Sequence, residues 1–122
     1  MINKVTLLGR LGRDAETRSM QDGKPVASFS VATSDVWKDK ESGDFRDRTE
    51  WHNVSAFGEG LVKLIERKAK KGALIYIEGK LRTRKYEKDG QEHRATDIIL
   101  DMDGVVRFPE RAPGEADAAA AE

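Results

Sequence analysis

The stretch GEGLVKLIERKAKKG, residues 58–72, decides the fold class because its apolar residues recur at helical spacing rather than at strand spacing. Four of these residues share one face of a helix with a period of 3.6, namely Leu61, Leu64, Ile65 and Ala69. Gly58 opens the segment, and Gly72 closes it at a position where glycine commonly caps a helix. We therefore expect one helix within residues 58–72.

The segments on either side of the predicted helix alternate apolar and polar side chains, as half-buried strands do. The predicted strands are residues 5–8, 26–37, 49–57, 73–84 and 95–102. Gly9 and Gly12 follow the first strand and indicate a bulge or a sharp bend. The order β-β-β-α-β-β predicts an all-β protein with one helix, the OB-fold, which is a five-stranded Greek-key barrel.

The C-terminal segment differs in composition from the rest of the 122 residues. Residues 109–122 are rich in Ala, Glu, Pro and Gly and contain four acids against one base. Such a segment buries no core and is predicted to be disordered. The prediction is one OB-fold domain at residues 1–108, followed by a short acidic, Ala-rich tail at residues 109–122.

Charge and composition exclude several classes of function. The 22 basic and 22 acidic residues cancel, but residues 1–108 hold 21 bases against 18 acids, so the predicted domain is mildly basic and suits a polyanion. The chain has no cysteine, which excludes disulfides, thiolate metal sites and cysteine nucleophiles. No apolar run approaches the length of a membrane span, and no leader peptide is recognisable at the N-terminus, so we expect a cytoplasmic protein without membrane contact.

Four aromatic residues near strand ends or on a polar strand face are interleaved with lysines and arginines: Trp37, Trp51, Phe57 and Tyr86. Aromatic rings stack on nucleobases whatever the sequence, and neighbouring cations follow the phosphates, so this combination is typical of single-strand binding surfaces. The partners of Trp51 on its strand face, Asn53 and Ser55, are polar, which favours an exposed ring over a core ring. For Phe57 the pattern favours neither reading.

Three motifs resemble the bacterial single-stranded DNA-binding proteins. They are Asn3-Lys4-Val5 with residues 11–14, residues 49–52 with Phe57-Gly58, and residues 76–86, YIEGKLRTRKY. The resemblance covers residues 3–108. It implies the OB-fold, a homotetramer wrapped by single-stranded DNA, and roles in DNA replication, recombination and repair, and no cofactor is implied.

The resemblance also assigns roles to individual residues. It implies base stacking by four aromatic residues: Trp37, Trp51, Phe57 and Tyr86. It implies phosphate contacts by four basic residues: Lys40, Lys71, Arg84 and Lys85. His52 is expected at the subunit interface. Two departures are that Tyr86 replaces a common Trp, and that Asn53 and Glu59 stand where relatives often carry a basic side chain.

The end of the chain also departs from the family pattern. Such proteins typically end in a cluster of Asp followed by Pro-Phe, which recruits other genome-maintenance proteins. This sequence ends in Asp117, four alanines and Glu122. Recruitment of protein partners through such a tip is therefore doubtful.

Two rival hypotheses come from other function classes. An enzyme would need a catalytic or metal constellation, but His52 and His93 lack metal-ligand spacing. The acids Asp97, Asp101 and Asp103 are predicted on the solvent face of the fifth strand, so we expect no catalytic residues and no metal site. An OB module that binds RNA or a protein partner remains an alternative, because RNA modules stack bases in the same way.

Overall fold

A computed structural model describes residues 1–110 and contains seven strands and one helix in that range. The elements are β1 Val5–Leu11, β2 Glu16–Ser19, β3 Pro25–Lys38, β4 Phe45–Phe57, α1 Glu59–Lys68, β5 Leu74–Lys88, β6 Gln91–Leu100 and β7 Val105–Arg107. The disordered tail predicted at residues 109–122 lies, from residue 111 onward, outside the described residues.

Five strands form the closed barrel that the sequence predicts. Their order is β1-β3-β4-β6-β5, and β1 pairs with β5 to complete the circle. Neighbouring strands are antiparallel except β4 and β6, which are parallel. The OB-fold prediction is therefore confirmed. Two short strands that the sequence did not reveal, β2 and β7, pair with β3 and β5 outside this circle.

The core fills the barrel from alternate positions of each strand, because successive side chains of a strand point to opposite faces. Its fully buried large side chains come from four strands and the helix: Val31, Val54, Ile65, Ile75, Ile77 and Leu100. Phe29 on β3 and Ala56 on β4 also lie inside. The alternation in residues 26–37 and 49–57 thus identified the buried face correctly over the barrel portion of both strands.

Gly9 lies where β1 pairs with both of its neighbours. β1 pairs with β5 from Val5 to Arg10, and Arg10 is also paired with Ala32 of β3. A Cβ atom on Gly9 would lie 2.2 Å from the carbonyl oxygen of Ala32. The strand continues through Gly9 without ending, so close approach of two backbones, rather than a strand-ending bend, explains the glycine.

Two hairpins extend beyond the barrel. β3 and β4 remain paired as far as Lys38 and Phe45, and β5 and β6 as far as Lys88 and Gln91. Asp89 and Gly90 both have positive φ, as a two-residue hairpin turn requires. From the sequence, the fourth strand was predicted to end at Arg84 and the fifth to begin at Ala95. The hairpin in the structure is longer than predicted, because strands solvated on both faces show no apolar alternation.

The helix α1 is shorter than the sequence suggests. Its C-cap is Ala69, whose N–H donates to the carbonyl oxygen of Ile65 at 2.7 Å. Gly72, expected to be the cap, lies in the turn before β5 with a positive φ. A further correction concerns Met102, which was placed on the apolar side of the fifth strand. It is 99% exposed, because β6 ends at Leu100.

Beyond β7, the chain returns to the barrel through a forked ion pair. The guanidinium of Arg10 donates to both carboxylate oxygens of Glu110, at 2.6 and 3.0 Å, and also to the carbonyl oxygen of Gly72 at 3.0 Å. This hydrogen bonding lowers the pKa of Glu110 and raises that of Arg10. Glu110 is thereby held against the end of β1.

The pH dependence of this contact gives a first prediction. A carboxyl whose folded pKa is lowered contributes stability above its unfolded pKa and loses that stability as pH falls through the folded pKa. We expect an NMR titration to show a pKa for Glu110 below the ordinary glutamate value. The Arg10→Gln variant should raise the pKa of Glu110 toward the ordinary value, and an unchanged pKa in that variant would contradict the contact.

Candidate nucleic-acid interface

A shallow groove crosses the outer face of the barrel over β3, β4, β6 and β5. Its lining residues are Arg13, Glu16, Arg18, Ser28, Phe29, Ser30, Asn53, Val54, Ser55, Phe57, Arg82, Arg84, Asp97 and Ile99. The lining includes four arginines against two acids, so the groove has a net positive charge. A positive groove on this face of an OB-fold suits a polyanionic chain.

β4 supplies two of the predicted aromatic residues to this face. Trp51, Asn53, Ser55 and Phe57 alternate with the buried residues of the strand. Trp51 is 59% exposed, as its polar neighbours suggested, whereas Phe57 is half-buried and lines the groove. Both rings therefore have area available to a ligand on the same side of the sheet.

Trp51 rests against the backbone at Gly12. A Cβ atom on Gly12 would lie 2.5 Å from Cζ3 and 2.7 Å from Cη2 of the indole ring. Glycine is therefore required at this position for the ring to lie as it does. Arg13 of the groove lining follows Gly12 in the chain, which places the exposed ring beside the groove.

Replacing Gly12 by alanine should displace the indole without unfolding the barrel. The clash involves the end of a movable side chain rather than backbone, so we expect a change in stability of about 0.5 kcal/mol or less. The near-ultraviolet circular dichroism and tryptophan emission should change. The matched control is Gly60→Ala, where an added Cβ meets open space. Spectra identical to those of the unchanged protein would refute the contact.

Tyr86 lies on the same face at the far end of β5. Its ring is stacked with that of His93, its cross-strand partner, with centroids 5.4 Å apart. The guanidinium carbon of Arg84 lies 5.5 Å from the Tyr86 ring centroid. The same guanidinium forms an ion pair of 2.6 Å with Asp97, whose side chain is only 14% exposed. The ion pair with Asp97 thus fixes the direction of the Arg84 side chain. From the sequence, Asp97 was expected to be only a surface charge.

The other predicted basic residues are more dispersed. Lys85 lies on the opposite face of β5 from Arg84 and forms an ion pair with Glu92 at 3.6 Å. Lys40 lies in the turn between β3 and β4, and Lys71 in the turn before β5. The structure therefore brings Arg84 together with Trp51, Phe57 and Tyr86 but leaves the three lysines around the periphery.

Trp37 and His52 share a face that differs from that of Trp51. Val36 is paired with Asp47, which is four positions from Trp51 on β4 and therefore points to the same side of the hairpin as Trp51. Trp37, the next residue after Val36, is paired with Arg46 and points to the opposite side. It is 44% exposed. His52 is half-buried, and its Nε2 lies 2.8 Å from Oγ1 of Thr33 in a hydrogen bond. Its expected position at a subunit interface stays a prediction.

Three groove arginines were missed by the sequence analysis: Arg13, Arg18 and Arg82. Arg82 was recoverable, because it has the same strand parity as Arg84 and Tyr86. Arg18 lies on β2, which has no apolar alternation to mark it as a strand. These three arginines line the same groove as Asn53. The groove is therefore positively charged although position 53 has no basic side chain.

With this geometry established, comparison with known proteins gives the family. The model of the "Single-strand binding protein family" matches residues 2–107. The chain belongs to that family. The match covers the whole barrel and both of its extended hairpins.

Sequence relatives of the single-strand binding family agree with this assignment. A single-stranded DNA-binding protein of Rhizobium meliloti is 48% identical over 100 residues, which cover 81% of this chain and 58% of the relative. The Rickettsia typhi protein of the same name is 46% identical over 100 residues, covering 81% and 66%. The chain therefore spans less than two thirds of the matched relatives' length.

A solved structure, that of Plasmodium falciparum SSB in complex with ssDNA, has the same fold. Its TM-score against this chain is 0.81 at 32% sequence identity, covering 90% of this chain and 96% of that one. The single-strand binding fold is thus shared over nearly the whole described structure.

Residues 1–110 contain neither a candidate metal site nor a helix that could span a membrane. No group of three or more His, Cys, Asp or Glu side chains in this range is arranged to hold a metal ion. In the same part of the chain, no helix is long and apolar enough to cross a membrane.

Proposed function

We propose that this protein binds single-stranded DNA with little sequence preference and protects it during replication, recombination and repair. The observation that carries the proposal is the exposed Trp51 ring beside a groove lined by four arginines, on a barrel of the single-strand binding family. Aromatic faces accept any base, and arginines contact phosphates rather than base edges.

The bound strand is proposed to follow the groove face of the barrel. Bases stack on the aromatic residues Trp37, Trp51, Phe57 and Tyr86, and phosphates meet the basic residues Lys40, Lys71, Arg84 and Lys85. The groove arginines Arg13, Arg18 and Arg82 add further phosphate contacts. Because Trp37 and Lys85 point away from the groove, the strand must pass around the hairpins to reach them, as a wrapped strand does.

Arg84 is proposed to donate to Asp97 and to a DNA phosphate at the same time on binding. In the free protein it is paired with Asp97 at 2.6 Å. Its guanidinium presents five N–H donors in a fixed fork, so it can keep part of this contact while donating to a phosphate. Asp97 then acts as a positioning residue that holds the cation beside the Tyr86 ring.

The assembly is proposed to be a homotetramer with His52 at a subunit interface, located in the cytoplasm where single-stranded DNA is exposed. Support comes from the family assignment and from the half-buried His52 side chain. Sedimentation equilibrium at micromolar concentration tests the assembly, and a monomer mass would reject it.

The protein is further proposed to bind DNA without altering it. The acids that might suggest a nuclease are engaged with cations, since Asp101 and Asp103 both approach Lys80, at 3.7 and 3.8 Å. Incubation of labelled DNA with Mg²⁺ or Mn²⁺ should leave it intact. Cleavage abolished by Asp101→Ala would overturn this part of the proposal.

The deciding experiment is a titration of intrinsic tryptophan fluorescence with oligo-dT, with duplex DNA as the control and oligo-rU as a competitor. Quenching by oligo-dT alone supports the proposal, because a stacked base quenches the ring that it covers. Preferential displacement by oligo-rU would favour an RNA-binding module instead. No quenching at low salt would favour an OB module for a protein partner.

A further inference from the structure

The tip of the β3–β4 hairpin exposes two large apolar side chains that the site described above does not use. Phe45 is 75% exposed and Val36 is 67% exposed. Phe45 is the cross-strand partner of Lys38, and Val36 is two pairs closer to the barrel, so the side chains of Phe45 and Val36 are diagonal neighbours on one face. A large aromatic ring held so far out in solvent contributes little to the core.

The strand register places Phe45 on the same face as Trp51. Six residues separate them on β4 without a break in pairing, so both point to the same side of the hairpin. Between them, the hydroxyl groups of Ser34 and Thr49 are hydrogen-bonded at 3.0 Å. At a rise of about 3.4 Å per residue, Phe45 lies roughly 20 Å beyond Trp51 along the hairpin.

The hairpin tip is held in place by a network around Asp39. Its carboxylate accepts hydrogen bonds from the N–H of Glu41 at 2.9 Å and from Nε of Arg46 at 2.6 Å, which together lower its pKa. The backbone N–H of Asp39 also donates to the carbonyl oxygen of Asp44. The ring of Phe45, next to Asp44, is therefore presented by an ordered turn.

We propose that Phe45 is a further base-stacking residue, which extends the binding face from Trp51 to the hairpin tip for a single DNA strand. This inference rests on the proposed function. The positively charged Lys38 lies beside the Phe45 ring on β3, whereas the negatively charged Asp47 of the same face lies on β4. The DNA phosphates are therefore expected to pass over β3 rather than β4. Val36 supplies apolar contact for the sugar or base next to the stacked one.

The occupant could instead be a second copy of the chain, which would cover the same apolar tip. Continuity with Trp51 on one face and the adjacent Lys38 favour the nucleic acid, because a hydrophobic contact between copies would gain nothing from an exposed cation. At a stacked spacing of about 3.4 Å per nucleotide, the 20 Å separation corresponds to roughly six nucleotides, and fewer if the strand is extended.

The test uses labelled oligo-dT of about 4 to 16 nucleotides, the range that single OB-folds occupy, with binding measured by fluorescence anisotropy. The full chain is compared with its Phe45→Ala and Phe45→Leu variants. Met102→Ala is the matched control, because it removes another large apolar side chain that is almost fully exposed. Sedimentation of each variant reports the assembly.

We expect Phe45→Ala to lower the affinity roughly tenfold, for the longer oligonucleotides only. Phe45→Leu should lose nearly as much, since it keeps apolar bulk but not the aromatic face, and Met102→Ala should lose nothing. Equal affinity of Phe45→Ala and the unchanged chain at every length would overturn the inference alone. So would an altered mass of Phe45→Ala, which indicates contact between copies. Failure of the unchanged chain to bind any oligo-dT would overturn the proposed function as well.

Discussion

Replacing Gly9 by alanine is expected to destabilise the barrel more than any other single change considered for this protein. The added Cβ would lie 2.2 Å from the carbonyl oxygen of Ala32 and 2.8 Å from Cγ1 of Val31. The first of these is a backbone atom at the junction where β1 meets β3, so relief requires the strands to separate. We expect a loss of at least about 3 kcal/mol in the free energy of unfolding, a large part of the stability of a small domain.

Urea unfolding followed by far-ultraviolet circular dichroism measures this loss. Gly60→Ala in α1 is the matched control, because its added Cβ has open space and alanine favours helix by up to about 1 kcal/mol over glycine. An unfolding midpoint for Gly9→Ala equal to that of the unchanged chain would show that the barrel closes less tightly than the contact indicates.

Replacing Trp51 by alanine should weaken binding to oligo-dT by roughly 5- to 150-fold, which corresponds to about 1–3 kcal/mol for one stacked base. The ring is 59% exposed and the barrel core does not depend on it, so the free energy of unfolding should change far less. Fluorescence anisotropy with labelled oligo-dT gives the affinity, and thermal unfolding checks the fold.

The matched control is Trp51→Phe, which keeps an aromatic face of smaller area and should lose only part of the affinity. Affinity unchanged in Trp51→Ala would place the bound strand elsewhere on the barrel. Equal losses in the alanine and phenylalanine variants would mean that the indole acts through something other than stacking.

The strands of the barrel could be predicted because burial of one strand face imposes a pattern on the sequence. Where one face of a strand is buried, as from Ala27 to Val31 on β3, apolar and polar residues must alternate. Where both faces are solvated, as in the outer half of β5, nothing selects for alternation, and the hairpin extension was read as a loop. The short strand β2 has four exposed residues and leaves no pattern at all.

The aromatic residues of the candidate site were easier to predict from the sequence than its charged residues. Trp51 stood out because its strand neighbours are polar, and it does lie exposed beside the groove. Trp37 points to the opposite side of the hairpin from Trp51, and this depends on the register in which β3 and β4 pair, which cannot be read from the sequence. The ion pair between Arg84 and Asp97 joins different strands, so its partners could be recognised only once the register was known.

The internal ion pairs have a thermodynamic consequence for any anion that displaces them. Arg84, Lys85 and Arg46 each already face a carboxylate, at 2.6, 3.6 and 2.6 Å. A phosphate that replaces a carboxylate on such a cation changes one anionic partner for another. The number of ions exchanged with solvent is then smaller than the number of basic residues touched. For a single strand, affinity falls with salt with a logarithmic slope of about −0.7 per neutralised phosphate. The salt dependence of binding should therefore be shallower than the number of basic residues on the whole DNA-binding surface implies.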